Sequence, residues 1–181
     1  MRCGADFGFS TDASVAVGVF IMGKTLYVRY EAYANHCDPD SLPSLFAGTD
    51  EREPARWLNL KGYPGIPNIL RCKIIADSSR PDTIRHLQKR GFTIHGAKKG
   101  PGSVVEGVEF MQSFDIAVHP SCKHTINELE NYSYKVDPHT EEVLPAIDGK
   151  DDHCIDSIRY AVESLRRSKG LNFAAMQTKM I

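Results

Sequence analysis

Arg2-Cys3-Gly4-Ala5-Asp6-Phe7-Gly8 opens the chain, and Ala13-Ser14-Val15-Ala16-Val17-Gly18-Val19-Phe20-Ile21-Met22 follows closely. The first stretch reads as a short strand, Arg2–Phe7, carrying a carboxylate near its end. The second is a continuous apolar run, interrupted only by Ser14 and Gly18, and reads as a buried strand. Gly23-Lys24 makes a tight turn, and Thr25–Tyr33 follows with Leu26, Val28 and Tyr30 alternating against Tyr27, Arg29 and Glu31. Strand-forming runs joined by turn residues predict an antiparallel meander.

Outward from these strands the pattern changes. A broken helical stretch is expected from Asp38 to about Tyr63: a short helix capped by Asp40 or Ser41, then another opened by Pro54. Arg71–Ala76 is an apolar strand ending at Asp77. Pro81 starts a helix that Gly91 stops, and Phe92–His95 is a strand. A Gly/Pro-rich loop leads to a helix near Ser103, a strand at Ile116–Val118 and a helix at Cys122–Asn131. Tyr132–Val136 and Glu142–Ile147 form a β-hairpin. Ile155, Ile158, Ala161, Val162 and Leu165 mark a final helix. The alternation predicts an α/β fold: a mixed central sheet, antiparallel in its first three strands and then parallel, flanked by helices. Residues 1–168 are expected to form one domain and 169–181 a flexible tail.

The bulk figures agree with one soluble domain. The chain has 181 residues, 41% hydrophobic and 25% charged, with a net charge of -1. No apolar run approaches the ~18 residues of a membrane span, and the N-terminus lacks a signal-peptide core. The five cysteines are dispersed and form no C-x-x-C pair, which fits reduced thiols in a cytoplasmic protein. His119, Cys122 and His124 lie close together, but they fit a strand-to-helix junction better than a zinc site. A net charge near zero is compatible with a nucleic-acid enzyme, because acids at a metal site offset bases elsewhere.

Three carboxylate positions carry the chemistry. Asp6 ends the first strand, Asp77 ends the apolar Ile74-Ile75-Ala76, and Asp152 and Asp156 open the last helix, with His153 on the Asp156 face. If the first and fourth strands are neighbours, Asp6 and Asp77 converge at one end of the sheet. Oxygen-rich clusters of this kind suit magnesium or manganese. Two such ions can activate a water and stabilise a departing phosphodiester oxygen. Most of these residues also have a plainer reading: Asp6 as a turn cap, Asp77 as a helix cap, Asp151 and Asp152 as complements to the helix dipole; Asp156, inside the helix rather than at its cap, is the hardest to read that way. Their order along the chain favours the metal.

Three segments carry a family resemblance: Gly4-Ala5-Asp6-Phe7-Gly8-Phe9-Ser10-Thr11-Asp12, Ala76-Asp77-Ser78-Ser79-Arg80-Pro81 with Ala97-Lys98-Lys99-Gly100-Pro101-Gly102-Ser103, and Asp152-His153-Cys154-Ile155-Asp156-Ser157-Ile158-Arg159-Tyr160-Ala161. Together they resemble the C-terminal nuclease domain of tailed-bacteriophage terminase large subunits, over most of Met1 to about Leu165. The resemblance implies a ribonuclease H-like fold, two metal ions, and Asp6 and Asp77 as ligands. The family's His-x-x-Asp pair maps onto His153 and Asp156, which ranks Asp156 above Asp152 as the third ligand. It implies a hairpin beside the site and cleavage of viral concatemeric DNA in the host cytoplasm. It also implies a longer parent with an ATPase domain, a terminase small subunit and a portal as partners. No G-x-x-x-x-G-K-[ST] phosphate loop occurs in this chain, so no ATP hydrolysis is expected of it.

Double-stranded DNA needs positive charge beside the metal site. Lys98 and Lys99 in the Gly/Pro-rich loop are the first candidates, with Arg80 and Lys135 as weaker ones. A solvated loop is the plainer reading of the two lysines. Competing functions are another ribonuclease H-like phosphodiesterase, such as a junction resolvase or RNA-strand hydrolase, and a non-catalytic docking domain of a packaging motor. The fold alone does not separate them.

Overall fold

Strand β2 (Ala13–Met22) shows why the sheet forms as it does. Ala13, Val15, Val17 and Val19 are buried on one face with Leu26, Val28, Cys154, Ile155 and Ile158. Ala16 is buried on the other with Ala5, Ala32 and Phe46. A strand covered on both faces is apolar throughout, which accounts for the unbroken run in the sequence. The computed structural model describes residues 1–8, 11–49, 62–132, 134–136, 140, 143–147 and 152–178, with backbone alone for 134–136, 143–147 and 169–178.

Strand β1 (Arg2–Asp6) pairs antiparallel with β2, and β2 pairs antiparallel with β3 (Thr25–Asn35). β4 (Ile74–Ala76) lies parallel to β1, and β5 (Ile94–Gly96) parallel to β4. β6 (Asp115–Val118) lies parallel to β3 at the far edge. The order is β5-β4-β1-β2-β3-β6, a mixed sheet with an antiparallel meander and parallel outer strands, as expected. Helices α1 (Leu42–Ala47) and α2 (Pro81–Lys89) supply Leu45, Phe46, Ile84 and Leu87 to one face. The other face carries α3 (Ser103–Gln112), α4 (Lys123–Asn131) and α5 (His153–Thr178). β7 (Tyr134–Val136) and β8 (Val143–Ile147) pair antiparallel as the expected hairpin.

Some boundaries differ from the sequence reading. The strand expected from Arg71 begins at Ile74, because Ile69–Arg71 winds into a 3-10 turn with Cys72 N–H donating to Ile69 at 3.0 Å. The strand expected from Phe92 begins at Ile94. Phe92 N–H instead returns to Leu87 O at 3.2 Å and closes α2, with Gly91 at φ 90. α5 continues helical to Thr178, through the stretch read as a tail; its Leu171, Ala174, Ala175 and Met176 are good helix formers. The helix expected at Pro54 lies outside the described residues.

Gly4 sets the seat of α5. A Cβ on Gly4 would overlap the Ser157 carbonyl oxygen and approach Ala161 N to 2.7 Å. Glycine thus lets the α5 backbone lie directly on β1. Side chains alternate across a strand, so Asp6 points to the same face as Gly4, toward the start of that helix.

Candidate active site

Asp6 and Asp77 meet because β1 and β4 are parallel neighbours in register. Ala5 pairs with Ala76, and Asp77 N–H donates to Ala5 O at 3.0 Å. Both carboxylates therefore leave the sheet at one end. The first turn of α5 arrives there: His153 Nδ1 lies 2.8 Å from Asp6 Oδ2. Asp156 follows on the same turn, and its N–H donates to Asp152 O at 2.8 Å. Asp152 stands immediately before the helix rather than within it, so it shares the site but not the full helical face expected of it.

Asp6, Asp77 and Asp156 each have a cationic partner from the chain. The Asp77 carboxylate is paired with the Lys99 ammonium and accepts from the Ser79 hydroxyl, and Ser79 N–H donates to it at 3.2 Å. Burial pushes the Asp77 carboxyl up, but the Lys99 and Ser79 bonds outweigh it and hold the group below its ordinary value. Arg159, itself 7% exposed, grips Asp156 with two bonds, at 3.1 and 2.6 Å. The Tyr160 hydroxyl donates to Asp156 at 3.3 Å. The bond to Asp6 raises His153 to about 9, against the effect of burial. Asp152 is raised by burial and then by the Asp156 charge.

Electrostatics places the carboxylates in one neighbourhood. The Tyr160 hydroxyl is pushed up by burial and by Asp156, Asp6 and Asp77 together. Three carboxylates and an imidazole are a donor set whose chemistry suits magnesium or manganese. In the side-chain arrangement seen, no three His, Cys, Asp or Glu groups among the described residues stand close enough to enclose an ion. The backbone brings the donors to one end of the sheet, and their rotamers engage Lys99, Arg159 and one another. The donors fit the ion by type and location; ligation requires Lys99 and Arg159 to yield.

Comparison with known proteins gives this arrangement a family. The profile described as Terminase RNAseH like domain matches residues 6–164. The chain belongs to this terminase family. It is similar to the nuclease domain of the bacteriophage SPP1 large terminase, solved with bound manganese. That match has a TM-score of 0.71 at 28% identity and covers 90% of this chain and 85% of that one. In sequence it is 38% identical over 105 residues to the terminase large subunit of Bacillus phage SPP1, covering 56% of this chain and 25% of that protein. It is 28% identical over 165 residues to the PBSX phage terminase large subunit of Bacillus subtilis strain 168, covering 90% of this chain and 34% of that protein. The chain thus spans about a quarter to a third of the length of these curated relatives. The P22 large terminase nuclease domain shares the fold at 13% identity and a TM-score of 0.54. The ribonuclease H-like fold is the one expected.

Of the remaining candidates in this terminase domain, Lys99 reaches Asp77, whereas Lys98 is exposed, its N–H donating to Glu163 at 3.0 Å. Lys98 lines a 440 Å³ cleft between α5 and the sheet edge, with Lys73, His95 and Arg167. Arg80 lines a separate 420 Å³ cleft with Gly8, Ser14 and His36. Lys135 lies on β7, and its side chain is outside the described residues. In the His119 region His124 stacks on Tyr33 at 3.6 Å, His119 bonds Ser121, and Cys122 is buried.

Sequence reasoning missed several residues. Arg159 and Tyr160 lie in the quoted α5 segment but were given no role. The signal that points to Glu128 is an acid on the Thr125 face of α4, where an apolar residue would ordinarily pack.

Proposed function

We propose that this chain is the nuclease part of a phage terminase large subunit. It is a metal-dependent endonuclease that hydrolyses phosphodiester bonds of double-stranded viral DNA with two magnesium or manganese ions. One observation carries the reading: Asp6 and Asp77 leave neighbouring strands at the end of the sheet where His153 and Asp156 begin α5. The similar SPP1 nuclease domain, which holds manganese, supports the choice of ion.

Asp6, Asp77 and Asp156 would hold the ions, with Asp152 as the alternative third carboxylate. Bound ions would polarise the phosphate and lower the pKa of a coordinated water. His153 donates to Asp6 and fixes the direction of that carboxylate. Arg159 and Tyr160 hold Asp156 in the metal-free chain, and Arg159 would give way as an ion binds. Lys99 contacts Asp77, Lys98 lines one cleft and Arg80 another, and phosphates flanking the cut site would meet this positive charge. The hairpin and Lys135 would border the DNA. We place the activity in the infected host's cytoplasm, within a longer protein that carries an ATPase domain and works with a small subunit and a portal.

The test is incubation of supercoiled plasmid with the chain, with and without manganese, beside an Asp77→Ala control. Manganese-dependent nicking lost in the control supports the reading; equal nicking by both proteins refutes it.

A further inference from the structure

We infer that Glu128 is a positioning residue for the candidate metal site: from α4 it fixes the first turn of α5, and through that turn it sets how tightly His153 and Asp156 hold a divalent cation. The inference rests on the proposed role of those two residues.

Glu128 Oε2 accepts Cys154 N–H at 2.7 Å and Ile155 N–H at 3.1 Å. First-turn amides have no partner within their own helix and must find one elsewhere. Here the partner is a side chain from another helix, not a local cap. The two bonded amides lie between His153 and Asp156 in sequence, so the carboxylate fixes the rotation of the segment that carries both donors.

Glu128 is only 7% exposed, and burial raises it to about 7. Burying an acid is costly, and an apolar side chain would pack there without that cost. The two amide bonds are what a carboxylate supplies at this position and a leucine does not.

The helix that carries Glu128 is held by the same device. Glu31 on β3 accepts His124 N–H at 3.2 Å, Thr125 N–H at 2.7 Å and the Thr125 hydroxyl at 2.7 Å. A line of contacts therefore runs from the sheet through Glu31 to α4, and through Glu128 to α5. Gly4 seats the next stretch of α5, at Ser157 and Ala161, on β1. Glu128 thus holds the donor-bearing turn itself, and β1 holds the helix just beyond it.

Groups behind a metal ligand ordinarily change affinity by about 10–100-fold when removed. A cap that merely complements the helix dipole would alter stability and leave metal affinity unchanged. The two roles separate in a manganese titration, by calorimetry or electron paramagnetic resonance, run beside thermal melting on Glu128→Ala, Glu128→Asp and Glu128→Gln. Glu128→Ala and Glu128→Asp should weaken manganese binding by at least about tenfold. Glu128→Gln keeps an oxygen able to accept both amides and should stay within about threefold of the original chain. If Glu128→Ala does not fold, Glu128→Asp carries the result. Lower melting with manganese affinity within about threefold in the Ala or Asp variant would overturn the inference, as would a Gln variant as weak as Ala. An unsubstituted chain that takes up no manganese would instead overturn the proposed function.

Discussion

His153 Nδ1 stands 2.8 Å from Asp6 Oδ2, although 147 residues of chain separate them. That contact joins the first strand to the last helix and raises His153 to about 9. Asp6→Asn keeps the shape but removes the charge. The His153 pKa should then fall by at least about one unit, as read by imidazole NMR titration of the metal-free protein. A His153 pKa that does not move in this variant would show that another group raises it.

The three ligand candidates should respond alike in activity and differently in stability. Asp6→Asn, Asp77→Asn and Asp156→Asn should each lower manganese-dependent plasmid nicking by at least about 100-fold with the fold intact by circular dichroism. Asp156→Asn should also destabilise the metal-free protein by about 1–3 kcal/mol, because buried Arg159 loses its ionic partner. Asp152→Asn should cost less activity than Asp156→Asn. The reverse order would make Asp152 the third ligand.

Lys98 and Lys99 should contribute to DNA affinity without regard to sequence. Lys98→Ala with Lys99→Ala should weaken binding to unrelated duplexes equally and flatten the salt dependence by up to about two charges. The measurement is fluorescence anisotropy over a salt series with calcium in place of magnesium. Lys99 is also paired with Asp77, so the single Lys98→Ala variant isolates the DNA contact. An unchanged salt slope in the double variant would leave the lysines as solvated loop residues.

Glu128 predicts a pH dependence of stability. Its carboxyl rises from 4.5 when free to about 7 in the fold. Between these values the folded chain holds a proton that the unfolded chain releases. The stability linked to this group is therefore fully present below about pH 4.5 and is lost as pH rises through about 7. Glu128→Gln removes the loss. In metal-free urea unfolding, the variant should gain up to about 3 kcal/mol relative to the original chain between those limits. Parallel stability curves would show that Glu128 does not titrate this way.

Gly4→Ala should be among the most damaging small substitutions. The added methyl meets the Ser157 backbone, which cannot rotate away. The cost should reach about 3 kcal/mol or more in urea unfolding, the upper range for overpacking. A loss under about 1 kcal/mol would mean that α5 lifts from β1 easily.

The sequence by itself determined the strand–helix alternation, the meander, the hairpin and the carboxylates at two strand ends and the start of the last helix. Each is encoded within a few neighbouring residues. A long apolar run marks β2, glycine and proline mark the ends of α2, and a carboxylate closing an apolar strand marks Asp6 and Asp77. Short-range signals failed where long-range packing sets the outcome. Nothing local reveals that Ile69 turns inward and delays β4 to Ile74, or that Asp152 precedes α5 while Asp156 lies on it.

Only the tertiary structure decided which groups face one another. That Asp6 meets His153, that Lys99 reaches Asp77, and that Glu128 caps a helix it does not belong to all depend on strand order and helix seating. The physical reason is distance along the chain. Hydrogen bonds and ion pairs act over a few ångströms, whereas the residues they join here are separated by 22 positions for Asp77 and Lys99, 26 for Glu128 and Cys154, and 147 for Asp6 and His153. Such pairings exist once the sheet has placed β1 beside β4 and Gly4 has let α5 come down upon them.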